Sequence, residues 1–91
     1  MNILLVEDDP SIALVITAAL EAEGMMVTEC DSIAERDRLI AGQSYDAMVT
    51  DVMLTDGDGI ESIGTVRSAA PDMPIIILSA NIGDISTPLH E

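Results

Sequence analysis

The chain has 91 residues, of which 17 are acidic and 3 are basic, so its formal net charge at pH 7 is −14. This length suits one ordinary domain rather than two, and the apolar fraction of 48% is typical of a folded globular protein. So few cations argue strongly against a nucleic-acid-binding surface, because neutralising phosphates takes clusters of Lys and Arg, and they disfavour binding to an anionic membrane.

The chain opens with a strand signal and then a helix signal. Ile3–Val6 is a continuous apolar run that predicts a buried strand of a parallel sheet. Asp9 followed by Pro10 predicts a helix start, and Gly24 predicts its end. The residues expected to be buried on this helix recur at helical spacing: Ile12, Val15, Ile16, Ala19 and Leu20.

A second strand and helix follow, and then a third strand. Met26–Cys30 reads as a short strand. Ser32 with Glu35 three residues later forms a capping box, which predicts a helix that ends near Gly42. The third predicted strand, Ala47–Thr50, is again followed directly by an acid.

The second half of the chain contains a loop, a helix and a fourth strand. Val52–Asp58 is predicted to be a loop, in which Gly57 and the following Gly59 permit unusual backbone angles. The helix is predicted over Gly59–Ala70 and the strand over Ile75–Leu78. The remainder, Ala80–Glu91, shows no convincing periodicity.

This alternation of strands and helices predicts an α/β fold. Its open parallel sheet should have right-handed crossovers and helices on both faces. In the flavodoxin-like strand order 2-1-3-4 the first and third strands are neighbours, and ligands bind beyond the carboxyl ends of the strands.

Polar residues cluster where the predicted strands end. Glu7, Asp8 and Asp9 follow the first strand, Asp51 follows the third and Ser79 the fourth. Converging carboxylates repel one another, and Mg²⁺, which takes one or two carboxylates together with water and phosphate oxygens, would offset that repulsion. Simpler roles stay open: Asp9 is expected to cap the first helix, and Glu7 and Asp8 to be either ligands or merely solvated. Asp51 precedes a loop and therefore caps no helix.

These residues resemble the receiver domain of two-component response regulators, most closely receivers of nitrogen-regulation-type activators. The resemblance covers about residues 1–80 and rests on four segments: Ile3–Asp9, Met48–Leu54, Asp56–Gly59 and Pro74–Ala80. It implies a flavodoxin-like receiver fold that is truncated after the fourth strand, so that the usual fifth strand and fifth helix are lacking. The domain would then occupy residues 1–80, with an irregular tail at 81–91.

The resemblance also implies roles for individual residues. Asp51 would accept a phosphoryl group from a sensor histidine kinase or a phosphotransfer protein. Mg²⁺ would be held by Asp8 and Asp51, by Glu7 through water and by the backbone carbonyl of Met53. Ser79 would be the switch hydroxyl that binds the phosphoryl oxygens. The chain would be a signalling module and not an enzyme, capable at most of self-catalysed phosphotransfer to and from Asp51.

The chain departs from the family pattern in several places. It contains no lysine, whereas the resemblance implies one on the fifth strand, along with an aromatic switch residue that is also missing. Thr55 stands where the family usually has proline. An alternative therefore stays open: a phosphorylation-impaired receiver remnant, or a fragment, that acts only in dimerisation or interaction. Because an unpaired edge strand recruits partners, we expect a homodimer through the fourth strand and the tail.

Two other functional classes fit the sequence less well. A phosphatase of the haloacid-dehalogenase type needs a second Asp two residues after the nucleophile, where this chain has Met53. A flavodoxin-like cofactor binder needs a first loop rich in Ser, Thr and Gly, and here that loop is Glu7-Asp8-Asp9.

Sequence features also suggest where the protein acts. The single Cys30 cannot form an intrachain disulfide, which fits a reducing cytoplasm. We find no signal-peptide pattern, and the longest uncharged apolar stretch, Ser11–Leu20, is far shorter than the roughly 18 residues of a membrane span. A soluble cytoplasmic protein is therefore predicted.

Overall fold

The computed structural model of the protein describes residues 1–54, 56–59 and 61–78, with Met53 described by its backbone alone. No helix in this described part reaches the length and apolarity needed to cross a membrane. In chain order the elements are β1 (Asn2–Val6), α1 (Pro10–Ala22), β2 (Met26–Cys30), α2 (Ile33–Gly42), β3 (Ala47–Asp51), β4 (Met53–Leu54), β5 (Gly57–Asp58), α3 (Ile63–Ala69) and β6 (Ile75–Leu78).

Four of these strands form a parallel sheet in the spatial order β2-β1-β3-β6. This confirms the predicted α/β flavodoxin-like fold and the predicted order, with β6 as the fourth strand of the main sheet. Burial of β1 on both faces explains its continuous apolar sequence. Leu4 and Val6 pack in the core that includes residues of α2 and α3, whereas Ile3 and Leu5 pack in the core that includes α1.

The first helix begins as predicted but buries a different stripe. Asp9 caps it, because its Oδ1 accepts hydrogen bonds from the N–H groups of Ser11 at 2.8 Å and Ile12 at 3.3 Å. Ala13 is buried, and Ile16 and Leu20 pack beside it against the sheet. The predicted stripe was wrong at three positions that the structure leaves exposed: Ile12, Val15 and Ala19.

The segment after β3 is more structured than predicted. Inside the predicted loop, β4 and β5 form a two-residue antiparallel ladder. The helix α3 begins at Ile63 rather than at the predicted Gly59, because a turn precedes it. In that turn Asp58 Oδ1 accepts a hydrogen bond from the N–H of Glu61 at 2.9 Å, and the Asp58 carbonyl accepts one from the N–H of Ser62 at 3.2 Å.

The fourth strand of the main sheet lies at its edge in the part of the chain that the structure describes. Ile76 and Ile77 of β6 are 53% and 46% exposed. Among the described residues no strand pairs with the outer edge of β6, and apolar side chains are exposed on the same strand. Ser79 and the predicted tail at 81–91 lie outside the described residues.

Candidate metal site

Three carboxylates meet at one end of the sheet. Glu7 and Asp8 directly follow β1, and Asp51 is the last residue of β3. Because β1 and β3 are parallel neighbours, with Val6 opposite Thr50, their following residues share one edge. One carboxylate oxygen from each of Glu7, Asp8 and Asp51 lies within 4.8 Å of the other two. The structure thus brings together the three acids that the sequence analysis singled out.

Glu7 has an unfavourable environment for a negative charge. Its side chain is 5% exposed, and one of its oxygens accepts a hydrogen bond from the N–H of Asp9 at 3.1 Å. Burial raises the pKa of the Glu7 carboxyl, and the nearby charges of Asp51 and Asp8 raise that pKa further, against the opposing effect of the Asp9 N–H. Ionised Glu7 therefore destabilises the folded protein unless a cation compensates it.

The donor set suits a hard divalent cation. Carboxylate oxygens are the ligands that Mg²⁺ prefers, at about 2.0–2.1 Å. Two oxygens bonded to one such ion lie at most about 4.2 Å apart, so the observed spacing needs only small side-chain adjustments to close around it. A carboxylate that binds through water reaches further still, as expected for Glu7.

The main chain holds Asp51 from two sides. Its Oδ1 accepts a hydrogen bond from the N–H of Val52 at 2.8 Å. Gly59, which is buried, donates its N–H to the carbonyl of Val52 at 2.7 Å. A Cβ atom at Gly59 would lie 2.5 Å from the carbonyl oxygen of Asp51. Glycine is therefore needed at position 59 for this close approach. Of Gly57 and Gly59, the two glycines predicted to adopt unusual backbone angles, Gly57 does so with a φ of +149° and Gly59 does not.

The other predicted site residues lie elsewhere or outside the described part. Asp9 caps α1, as the simpler reading predicted. Met53 lies in β4, two residues after Asp51, and pairs with Asp58 in the small ladder. Ser79 falls outside the described residues, so its role as the switch hydroxyl stays a prediction.

Sequence reasoning missed two residues near the site, Asp56 and Arg36. Asp56 accepts hydrogen bonds from the first N–H groups of α2. Arg36, which belongs to α2, is fully buried and donates hydrogen bonds to Ser62 in the turn before α3. A signal for Arg36 was present, because it lies three residues after Ile33 and four before Ile40, on the buried stripe of α2. Nothing local in the sequence indicated the partner of Asp56.

An acidic cleft of about 430 Å³ is lined in part by Glu7 and Asp8 of the carboxylate cluster. Its lining includes five acids: Glu7, Asp8, Glu29, Asp31 and Glu35. Cys30 also lines this cleft, and burial raises the pKa of its thiol to about 11, so it stays protonated at neutral pH. The negative surface repels a phosphate group that arrives without a cation.

Comparison with protein families gives a match over most of the chain. The profile described as response regulator receiver domain matches residues 3–87. The swarming motility regulation protein RssB of Serratia marcescens is 39% identical over 80 residues, which cover 88% of this chain and 36% of RssB. The KDP operon transcriptional regulatory protein KdpE of Escherichia coli is 38% identical over 79 residues, which cover 87% of this chain and 35% of KdpE. The chain thus spans about a third of the length of these relatives.

A solved structure agrees with these relatives. The receiver domain of the sensor histidine kinase PA1611 from Pseudomonas aeruginosa has a TM-score of 0.83 and 36% sequence identity to this chain. The likeness covers 89% of this chain and 68% of that one. A magnesium ion is coordinated in the active site cleft of the PA1611 receiver domain.

Proposed function

Because this chain belongs to the response regulator receiver domain family, we propose that it is the phosphoacceptor module of a two-component system and that Asp51 is its phosphorylated residue. The observation that carries the proposal is the meeting of Glu7, Asp8 and Asp51 within 4.8 Å at the carboxyl end of the sheet. Asp51 suits the role of nucleophile because it ends the central strand β3 and is half-buried.

Magnesium is the cofactor that we propose for this site. Asp8, Asp51 and the backbone carbonyl of Met53 would bind Mg²⁺ directly, and Glu7 would bind it through water. The ion, when bound, neutralises the charge that develops on the phosphoryl oxygens. Support comes from the three oxygen donors, from the buried Glu7 with its raised pKa and from the magnesium ion in the related PA1611 receiver domain.

The chemical step that we propose falls to Asp51. One of its carboxylate oxygens forms a bond to phosphorus while the bond between phosphorus and the leaving group of the donor breaks, which yields an acyl phosphate. The hydrogen bond from Val52 N–H to Asp51 Oδ1 holds the carboxylate at the sheet edge during this approach.

The proposed partners are a sensor histidine kinase or a phosphotransfer protein in the cytoplasm. The role that we propose needs no small-molecule product, and Met53 occupies the position where a haloacid-dehalogenase-type enzyme has its second Asp. The nitrogen-regulation type and the truncation after the fourth strand of the sheet stay predictions.

Intact-mass measurement tests the phosphoacceptor role. After treatment with a small phosphodonor and Mg²⁺, the wild-type protein should gain the mass of one phosphoryl group, and Asp51→Asn should gain none. Asp72→Asn removes a negative charge from an exposed turn before β6 and should behave as the wild type does. A wild-type protein that gains no mass would contradict the proposal and favour the receiver remnant that only associates.

We also propose that the chain forms a homodimer through the edge of β6. The exposed Ile76 and Ile77 support this interface, together with an edge of β6 that no strand pairs with in the part of the chain that the structure describes. Light scattering should give twice the chain mass of 9.6 kDa, and Ile76→Lys should shift that value toward one chain. Leu14→Lys, at an exposed apolar position on α1, is the matched control. A wild-type protein that stays monomeric at high concentration would contradict the dimer.

A further inference from the structure

Arg36 and Asp56 lie outside the acidic site, and their side chains connect α2 by hydrogen bonds to the part of the chain that follows β4. We infer that these two side chains are positioning residues for Asp51. This inference deepens the proposed function and rests on it where it concerns metal binding. Neither residue belongs to the carboxylate cluster, and the hydrogen bonds of each join α2 to a short segment made of the described residues 56–59 and 61–62.

The first attachment is the carboxylate of Asp56. Its Oδ1 accepts a hydrogen bond from the N–H of Ile33 at 2.8 Å, and its Oδ2 accepts one from the N–H of Ala34 at 3.1 Å. Both donors belong to the first turn of α2, whose N–H groups have no partner within the helix, and these bonds lower the pKa of the Asp56 carboxyl. The adjacent Gly57 is also close, since a Cβ atom there would lie 3.0 Å from Ile33 Cδ1.

The second attachment is the guanidinium of Arg36, which is 0% exposed. Its Nη1 donates to Ser62 Oγ at 3.1 Å and to the Gly59 carbonyl at 3.4 Å, and its Nη2 donates to the Ser62 carbonyl at 3.2 Å. Its Nε and Nη2 also donate to Asp37 Oδ1 at 2.9 and 2.8 Å. A buried cation is tolerated only with such partners, and the planar fork of arginine can reach them together.

The attached segment contacts Asp51 directly. Gly59, whose carbonyl binds Arg36, donates its N–H to Val52 and packs against the carbonyl oxygen of Asp51. Asp58 pairs with Met53, the residue whose carbonyl is a proposed Mg²⁺ ligand. Because both α2 attachments end on this short segment, loosening either one should let Asp51 and Met53 shift relative to Asp8. Groups that orient metal ligands commonly control metal affinity in this way.

Amide hydrogen exchange tests the attachment without any metal. In Arg36→Met and Asp56→Asn, the Gly59 amide should exchange about tenfold faster than in the wild type, the scale of losing a hydrogen bond to a charged group. The amide of Leu5 in β1 serves as the reference for global opening, because core strands exchange with the highest opening free energies, and the Gly59 amide should accelerate more than the Leu5 amide does. Arg38→Met and Asp72→Asn change matched exposed side chains and should leave the Gly59 amide unchanged.

Calorimetric titration with Mg²⁺ then separates positioning from a merely structural role. The Kd for Mg²⁺ should rise about tenfold in Arg36→Met and in Asp56→Asn but not in the two controls, and Arg36→Lys should restore only part of the affinity. Unchanged exchange at Gly59 in both variants, or wild-type Mg²⁺ affinity despite faster exchange, would overturn the inference. A wild-type protein that binds no Mg²⁺ would instead refute the proposed function, and exchange at Gly59 would still decide whether α2 holds the loop.

Discussion

Addition of Mg²⁺ should raise the melting temperature of the wild-type protein by roughly 5–10 °C at a concentration of about ten times its Kd. An ion that binds only the folded state stabilises it by about 1.4 kcal/mol at that concentration, and 1 kcal/mol shifts the melting temperature of a domain of this size by about 4–8 °C. The physical reason is that Glu7, Asp8 and Asp51 bring three carboxylates together, and a bound cation offsets their mutual repulsion. Burial also raises the pKa of Glu7, so its ionised form is unfavourable without a cation. Circular dichroism during a thermal scan measures the shift.

Asp8→Asn and Asp51→Asn should each remove most of this rise. Without Mg²⁺ both variants should melt no lower than the wild type, because each loses one of the charges that repel one another. Asp72→Asn should keep the full rise, and a monovalent salt at equal ionic strength should not reproduce it. A rise of the same size in all three variants would mean that Mg²⁺ binds somewhere other than the acidic site.

The position of these acids was predictable because it depends on few features of the chain. Apolar runs such as Ile3–Val6 mark buried parallel strands, and the polar residues that follow them then share the carboxyl edge. The alternation of strands and helices predicted the open parallel sheet, and the flavodoxin-like fold supplied the spatial order of its strands. Neither step requires knowledge of which side chains touch.

The face of α1 was not predictable in the same way. Its sequence from Ile12 to Leu20 contains apolar residues at eight of nine positions, with Thr17 as the exception, so periodicity does not single out one stripe. Packing against the sheet determines the buried face of α1 instead, and that face contains Ala13, Ile16 and Leu20. Tertiary packing here overrides the pattern on which the prediction relied.

The attachments of the loop to α2 were also beyond sequence reasoning. Asp56 bonds to groups 22 and 23 residues earlier in the chain, and Arg36 bonds to Ser62, 26 residues later. Only the folded chain brings these pairs together. The close approach of Gly59 to Asp51 likewise depends on how the segment folds back, whereas the sequence suggested only that glycine gives freedom to the backbone.

That close approach predicts a large effect for Gly59→Ala. The added methyl group would lie 2.5 Å from the carbonyl oxygen of Asp51 and 3.3 Å from that of Val52. These are backbone atoms, so the segment itself must move, and its hydrogen bond from Gly59 N–H to Val52 should be lost. We expect the free energy of unfolding to fall by about 1–3 kcal/mol, as for other overpacked sites, with loss of most of the Mg²⁺-dependent rise in melting temperature. Urea denaturation followed by circular dichroism measures the first effect.

Gly64→Ala is the matched control, because nothing lies within 4 Å of a Cβ atom at that position in α3. Alanine favours helix over glycine by up to about 1 kcal/mol, so this variant should be at least as stable as the wild type and should keep its response to Mg²⁺. The two substitutions add the same methyl group and differ in what that group meets. If Gly59→Ala were as stable and as responsive to Mg²⁺ as Gly64→Ala, the segment after β5 would not press against Asp51, and its role in holding the site would have to be abandoned.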